Sequence, residues 1–472
     1  TQKYRKRTKI TSDFQKLEFL KEVRYDTYAT EVQSGIYKNL STLKEVHLDN
    51  VTKINSSAFM NCTGLKELAL SPELEIIDHY AFSNCISLEK VEMPANLTSI
   101  KSEVFAGCRK LREIYLNENL KNIGSNAFKG CHALNILTIP MSVNNISSNA
   151  LDSCQKLRYI TLGGPEILNL GSNFAAQSPI ESIMLRGNVN AKFSHLKTLD
   201  SVYRTKYCNT YYPYQFANCP DLSNVNFYNI KSIGQAAFYN CTALDAIDLE
   251  TVEEIGNQAF NNCTNLASVK FGDKITKIPD CLSKSGITAL NIPDNVTSFT
   301  TPGNCESLAT VTIGDGVTQC NGGFTGCTSL QSVRFGKNTT AVYLQPKSVR
   351  KIISANPVPP KASNFQKEVY DLSELIVPIG AADAYRNAQY WKNFYKITEV
   401  DMAGVEDILA DKDTPEIEAG NGYIDIQSPY TTFVYSIDGR LVEALQPGKH
   451  HVDLRHGMYI LVSGNFSHKV CL

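Results

Sequence analysis

Residues 58–70 read AFMNCTGLKELAL, and the same alternation of apolar and polar positions returns as AFSNCISLEKVEM, VFAGCRKLREIYL and AFKGCHALNILTI. Taking the cysteine of each copy as position zero, Cys62, Cys85, Cys108, Cys131 and Cys154 are spaced by 23 residues. Cys219, Cys241 and Cys263 are spaced by 22, as are Cys305 and Cys327. Leu40, Gln177, Leu196 and Lys284 hold the zero position in four degenerate units, giving 14 rungs between about residue 37 and residue 342.

Each rung repeats one set of positions. An aromatic residue stands three before zero (Tyr37, Phe59, Phe82, Phe105, Phe128, Phe174, Phe193, Phe216, Phe238, Phe260, Phe324). Asn or Gly stands one before zero in ten of the 14 rungs, and these residues adopt positive φ at low cost, so a tight turn belongs there. Apolar residues follow at plus 3, 6 and 8, and the last two alternate about one outward residue, which is a short strand. Two more come at plus 12 and 15, as in Leu97 and Ile100.

One rung cannot fold alone. Its six or seven apolar side chains are worth roughly 1.5–3 kcal/mol each when fully buried. Ordering its backbone costs roughly 1–2 kcal/mol per residue. Stacking covers both faces of every inner rung, so the pattern predicts a repeat solenoid with one strand per rung in a parallel sheet. The cysteines fit that fold as small apolar residues: ten lie at position zero, and Cys208, Cys281 and Cys320 fall at other core positions. Side chains stacked in parallel seldom reach the disulfide dihedral, so the ladder is expected to be reduced and buried. No C-x-x-C pair or close Cys/His cluster offers metal-ligand spacing.

The pattern fades after Val342, where Asn-Pro-Val-Pro-Pro at 356–360 cannot continue a ladder. Five segments are expected. They are a lead-in or cap at 1–36, the array at 37–350, a terminal cap at 351–400 with a short helix within Gly380–Asn393 and a strand at Tyr395–Val400, an acidic linker at 401–420, and a small β-sandwich at 421–472. The last has short alternating runs at Tyr423–Ile426, Phe433–Ile437, Arg440–Val442, His451–Leu454, Met458–Val462 and His468–Val470, with a hairpin signal at Asp438-Gly439.

The motif AF-x-x-C-x-x-L-x-x-L-x-L, repeated in register from 37 to 342, resembles the BspA-like leucine-rich repeats of bacterial surface proteins. The segment VPIGAADAYRNAQYWKNFYKITEV is similar to the piece that closes many such arrays. The tail VYSIDGRLVEAL…GMYILVSGNFSHKV resembles the C-terminal sorting domain of type IX secretion substrates, or related β-sandwich tails of Bacteroidetes proteins. The resemblance implies a right-handed leucine-rich-repeat solenoid on an exported protein, either extracellular or on the outer-membrane surface. It also implies an adhesin-like role.

Charge adds little: the formal net charge is −1, which argues against a nucleic-acid partner. The basic lead-in, with eight Lys or Arg in the first 24 residues, reads as solvated chain. No apolar run is long enough to span a bilayer. None of the eight histidines forms a short ligand pair, and there is no G-x-S-x-G, P-loop or G-x-G-x-x-G. The expectation is therefore no enzyme, no cofactor, no metal, and a monomer.

Outward strand positions carry the remaining information. Plus 5 and plus 7 are bland in the second half of the array, but between the fourth and eighth rungs they gather Tyr115, Ile136, Tyr159, Met184 and Tyr203 beside Arg112, Arg158, Arg186 and Arg204. Exposed Tyr and Arg are favoured in protein-binding hot spots, whereas cross-strand pairing also favours aromatics for purely structural reasons. The same stretch holds the shortest gap, 19 residues from Gln177 to Leu196, and the segment KYCNTYYPYQF, in which register places Tyr211 inside. The expected site is a patch of Tyr115, Tyr159, Met184 and Tyr203 with Arg158 and Arg186, for a host extracellular protein or glycan. A spacer that binds nothing is the alternative.

Overall fold

The structure, a computed structural model, describes residues 19–25, 29–163, 168–171, 173–404, 416–420, 422–428, 432–436, 441–446, 448–454, 458–463 and 466–471. The basic lead-in before residue 19, most of the expected acidic linker and the Asp438-Gly439 turn lie outside them. The chain divides into two units, 1–398 and 399–472.

The first unit is a parallel β-solenoid. Its main strands are the predicted plus 5 to plus 8 segments, such as Glu45–Leu48, Glu67–Ala69, Tyr159–Leu162 and Ser332–Phe335. They pair in register with the next rung: Tyr159 faces Ser182, and Ile160 faces Ile183. The side chains at plus 6 and plus 8 point inward, so Val46, Leu48, Ile160 and Leu162 are buried.

The ladder extends beyond both expected ends of the array. Glu22–Tyr25, expected in the lead-in, pairs with Glu45–Leu48. Lys351–Ser354 and Glu374–Pro378, expected in the cap, continue the same parallel sheet. Neither end carries the cysteine of the repeat, but Val23, Tyr25, Ile352 and Leu375 continue the buried rows of the same core. The closing piece holds helices at Lys367–Leu372 and Ala382–Asn387 and a strand at Lys396–Val400. Its anchor is Trp391, fully buried, whose Nε1 donates to the Pro360 carbonyl at 2.7 Å.

A second strand per rung was not foreseen. Two-residue strands at plus 13 to plus 15, including Lys53–Ile54, Ile76–Ile77, Ser99–Ile100, Asn122–Ile123 and Asn145–Ile146, form a second parallel sheet. Two residues with one buried side chain cannot show an alternation, so only the apolar position was visible in sequence. The short rung from Gln177 to Leu196 has no such strand among its described residues, and the sheet resumes at Thr210–Tyr211.

The turn side is also tied rung to rung. The amide of Phe59 donates to Ala81 O at 2.8 Å, and Phe82 to Val104 O at 3.0 Å. Position minus 1 has positive φ as expected, for example Asn61 at 61°, Asn84 at 59° and Gly107 at 72°. At Gly107 a Cβ would meet Asn84 Oδ1 at 2.2 Å, so a larger residue there needs the Asn84 side chain to move. Stacked asparagines share their amides, with Asn84 Nδ2 donating to Asn61 Oδ1 at 3.0 Å. A second positive φ falls at minus 5 on Ser57, Tyr80, Glu103, Asn126 and Asn149. Unlike minus 1, the position has no dominant residue type, with Ser, Tyr, Glu and Asn all found there, so the sequence pattern does not mark it.

The minus 3 aromatics form a stack: Tyr37, Phe59, Phe82, Phe105 and Phe128 lie 5.2, 5.2, 5.6 and 5.8 Å apart by ring centroid. Eight of the ten ladder thiols donate to the carbonyl of the minus 3 aromatic one rung back, as Cys85 does to Phe59 O at 3.3 Å and Cys131 to Phe105 O at 3.3 Å, whereas Cys305 and Cys327 donate to Leu282 O and Pro302 O. That bond explains why cysteine suits a slot that a plain apolar residue also fills. Thirteen cysteines, all within the first unit, are free and buried. Burial pushes the thiol of Cys108 up to about 12, so it stays protonated and a donor.

The second unit has two antiparallel sheets. One contains Glu416–Ala419, Tyr423–Ser428 and Gly448–Asp453; the other contains Leu441–Leu445, Thr432–Ser436, Met458–Ser463 and Phe466–Cys471. Ile424, Ile426 and Val452 from the first meet Val434, Leu445, Leu461 and Val470 from the second in one small core, which is a β-sandwich. Its first strand, Glu416–Ala419, starts inside the segment expected as linker.

Candidate partner-binding face

The outward rows of the main sheet are set by strand pairing. In the plus 5 row, Ile136 faces Tyr159, which faces Ser182 and then Ser201. In the plus 7 row, Thr138 faces Thr161, which faces Met184 and then Tyr203. Neighbouring strands lie about 4.8 Å apart, so Ile136 abuts Tyr159 and Met184 abuts Tyr203 on one surface. The apolar residues are open to solvent: Ile136 is 59% exposed, Tyr159 47%, Tyr203 43% and Met184 37%.

The other expected members are placed differently. Tyr115 is exposed, but its row neighbours towards Met184 are Thr138 and Thr161, and Lys90 Nζ lies 5.3 Å from its ring centroid. Arg158 is engaged, with Nε 2.7 Å from Glu181 Oε1 and Nη1 donating to Gln155 O. Arg186 is half-buried just past the strand Ser182–Leu185. Arg204 spans two carbonyls, Asn226 O at 2.8 Å and Cys208 O at 2.6 Å, and braces the fold. The patch is therefore chiefly apolar and aromatic, and the guanidiniums of Arg158 and Arg204 are held by the protein itself. Tyr211 lies inside, as register required, with its hydroxyl donating to Asn226 O.

Beneath this face the core is irregular. Leu151 takes the aromatic position after Phe128, and Phe174 meets the His195 ring edge-on at 5.0 Å. His195 Nε2 is buried without a hydrogen-bond partner, and burial, aided by the Lys197 charge, lowers its pKa to about 4. An open depression of about 680 Å³ lined by Gln345, Lys347, Arg350, Gln366 and Glu368 lies near the far end of the array, away from the aromatic rows.

One cluster escaped sequence reading. Glu22, Glu45 and His47 bring their ligand atoms within 4.8 Å of one another at the first two strands. Glu22 and Glu45 are one repeat apart, so only the strand register, not local spacing, unites them.

The BspA type leucine rich repeat region matches in six copies, over residues 8–111, 75–191 and 189–302. The chain belongs to the BspA-type leucine-rich repeat family. No curated protein sequence matches it. Among solved structures, this BspA-type chain is similar to a leucine-rich repeat protein from Bacteroides ovatus, at 21% identity over 81% of this chain and 92% of that one, TM-score 0.40. It is similar to a leucine rich cell surface protein from Faecalibacterium prausnitzii, at 22% identity over 75% and 82%, TM-score 0.29. It is also similar to the pneumococcal vaccine antigen PcpA, at 17% identity over 82% and 90%, TM-score 0.28. No helix among the described residues is long and apolar enough to cross a membrane.

Proposed function

We propose that this BspA-type protein is exported and acts at the bacterial surface as a noncovalent, adhesin-like binding protein. Its contact face is the pair of outward rows centred on Tyr159, Met184 and Tyr203. The observation that carries the reading is the apposition of Ile136 with Tyr159 and of Met184 with Tyr203 on adjacent strands, all solvent-exposed. Exposed aromatics held on a rigid sheet lose little side-chain entropy on binding and bury large area, which suits a protein surface or a glycan ring. The tail sandwich resembles sorting domains of exported proteins and fits the same location.

The test is binding of the purified chain to a panel of host extracellular proteins and glycans, with a Tyr159→Ala/Tyr203→Ala double variant alongside. Two hot-spot tyrosines at roughly 2 kcal/mol each predict a loss of affinity on the order of 1,000-fold where their effects add, and about 30-fold where only one of them counts. Undiminished binding by the double variant removes this face from the reading. Silence across the whole panel favours the spacer alternative, which the bland plus 5 row from Ser201 onward (Asn224, Ala246, Ser268, Ala289) supports.

A further inference from the structure

A column of like charge opens the main sheet. Glu22 stands directly opposite Glu45, and Glu45 directly opposite Glu67. Like charges facing each other across strands are destabilising, and here three carboxylates stack in one row. Only Arg24 answers them from the terminal strand, by contacting Glu22 Oε1. Beside the column, the His47 side chain is only 24% exposed, and its Nε2 lies 3.9 Å from Glu45 Oε2. That nitrogen is buried with no hydrogen-bond partner. A buried, unpaired ring nitrogen normally costs stability.

A single ion resolves both costs. We propose that Glu22, Glu45 and His47 form a binding site for one divalent transition-metal cation of the Zn²⁺ type, which staples the terminal strand Glu22–Tyr25 onto the array. The three ligand atoms lie within 4.8 Å of one another, so small rotamer adjustments bring each to about 2.0–2.2 Å from a common centre. Two carboxylates and a neutral imidazole select transition ions over Ca²⁺ and Mg²⁺, which prefer all-oxygen sites. Water completes the shell, and Glu67 adds negative potential from the next rung. The strand Glu22–Tyr25 has only one partner among the described strands, so a ligand bridge across that pair counteracts fraying where pairing is weakest. The site lies apart from the aromatic rows and does not depend on the binding role proposed above.

The experiment is calorimetric titration of Zn²⁺ into the full chain, stripped with chelator and carrying no histidine affinity tag. One equivalent is expected. Affinity should fall at least about tenfold in His47→Gln and in Glu45→Gln, since loss even of a group that only orients a ligand costs about 10–100-fold. His451→Gln, in the other unit, is the control and should bind like the wild type. Hydrogen exchange gives an independent readout: Zn²⁺ should slow the amides of Glu22–Tyr25 in the wild type and not in Glu45→Gln. Should His47→Gln misfold, Glu45→Gln, an isosteric change at a half-buried carboxylate, decides alone. No one-to-one uptake, uptake indifferent to both ligand variants, or uptake lost equally in His451→Gln overturns the site.

Discussion

The rungs from Tyr37 to Cys131 and those from Leu151 to Gln215 follow one pattern, but they keep it with different strictness. In the first stretch the repeat is 22 or 23 residues and five rings stack at 5.2–5.8 Å. The second sheet runs there without a gap, and each described zero-position thiol caps a carbonyl one rung back. In the middle stretch a rung shrinks to 19 residues, Leu151 and His195 interrupt the aromatic stack, and the second sheet skips a rung. Above that irregular core stand Tyr159, Met184 and Tyr203. Outward positions up to Glu92 carry mostly charge, as at Glu67, Lys90 and Glu92; exposed apolar surface begins with Tyr115 and Ile136 on the last strict rungs and continues into the rungs that bend. The difference teaches that the array stores stability in its regular rungs, while the exposed apolar surface runs from the last of them, at Ile136, into the rungs that deviate.

The largest break in this comparison should come from the stack. Phe82 and Phe174 are both fully buried, but Phe82 has stacked neighbours on both sides at 5.2 and 5.6 Å, whereas Phe174 meets His195 edge-on. Phe82→Ala should cost about 3–5 kcal/mol in denaturant unfolding. Phe174→Ala should cost less by about 1 kcal/mol, the worth of the missing stacked contact. Equal losses would mean that the two regions do not differ in stored stability.

A smaller effect is expected at the ladder. Cys85→Ala removes a buried sulfur and its bond to Phe59 O, and should cost about 2 kcal/mol. Native protein should also leave the described thiols unlabelled by a maleimide, and reaction should appear only as the array unfolds.

His195 gives the middle stretch a pH signature that the first stretch lacks a counterpart for in its stack. Its pKa drops from 6.5 to about 4 on folding, because burial disfavours the imidazolium and Lys197 repels it. The unfolded chain therefore binds the proton first. Stability is fully present above about pH 6.5, declines as pH falls towards 4, and is constant in this contribution below that. Discounted for partial exposure, the change is on the order of 1 kcal/mol. Thermal midpoints measured from pH 7.5 to 4.5 should fall less steeply in His195→Gln than in the wild type. Parallel profiles would remove the histidine from the account.

Much of this fold was legible because repetition multiplies weak signals. A single Asn before a cysteine says little, but ten Asn or Gly in one register fixed the turn, and Asn61, Asn84 and Gly107 do sit at positive φ. What stayed hidden lacked a repeating residue type or spanned rungs. The positive φ at minus 5 falls on Ser57, Tyr80 and Glu103, which share no chemistry. The second sheet has strands too short to alternate. The rung of the terminal strand Glu22–Tyr25 has Leu17 where the cysteine would stand, although Phe14, Leu20, Val23 and Tyr25 keep the register, and the meeting of Glu22, Glu45 and His47 follows from pairing register alone. The arginines of the candidate face were legible as residues but not as partners. Arg158 and Arg204 spend their donors on Glu181 and on the Asn226 and Cys208 carbonyls, which only the folded rungs bring within reach.

The smallest expected effect is the one that sharpens the comparison most. Tyr159 and Tyr203 sit on the outer surface, and exposed cross-strand contacts of this kind contribute roughly 0.2–1 kcal/mol each. Tyr203 adds a long contact from Asn224 Nδ2 at 3.4 Å, and no stack or buried bond depends on either ring. Tyr159→Ala/Tyr203→Ala should therefore unfold within about 1 kcal/mol of the wild type in the same denaturant experiment that exposes Phe82→Ala. A near-neutral result means that the aromatic rows do not hold the solenoid together, so a role in contact with another molecule accounts for their exposure. A loss of several kcal/mol would instead make the rows a brace over the 19-residue rung, compensating for the second strand that rung lacks, and the middle stretch would differ from the first in construction only.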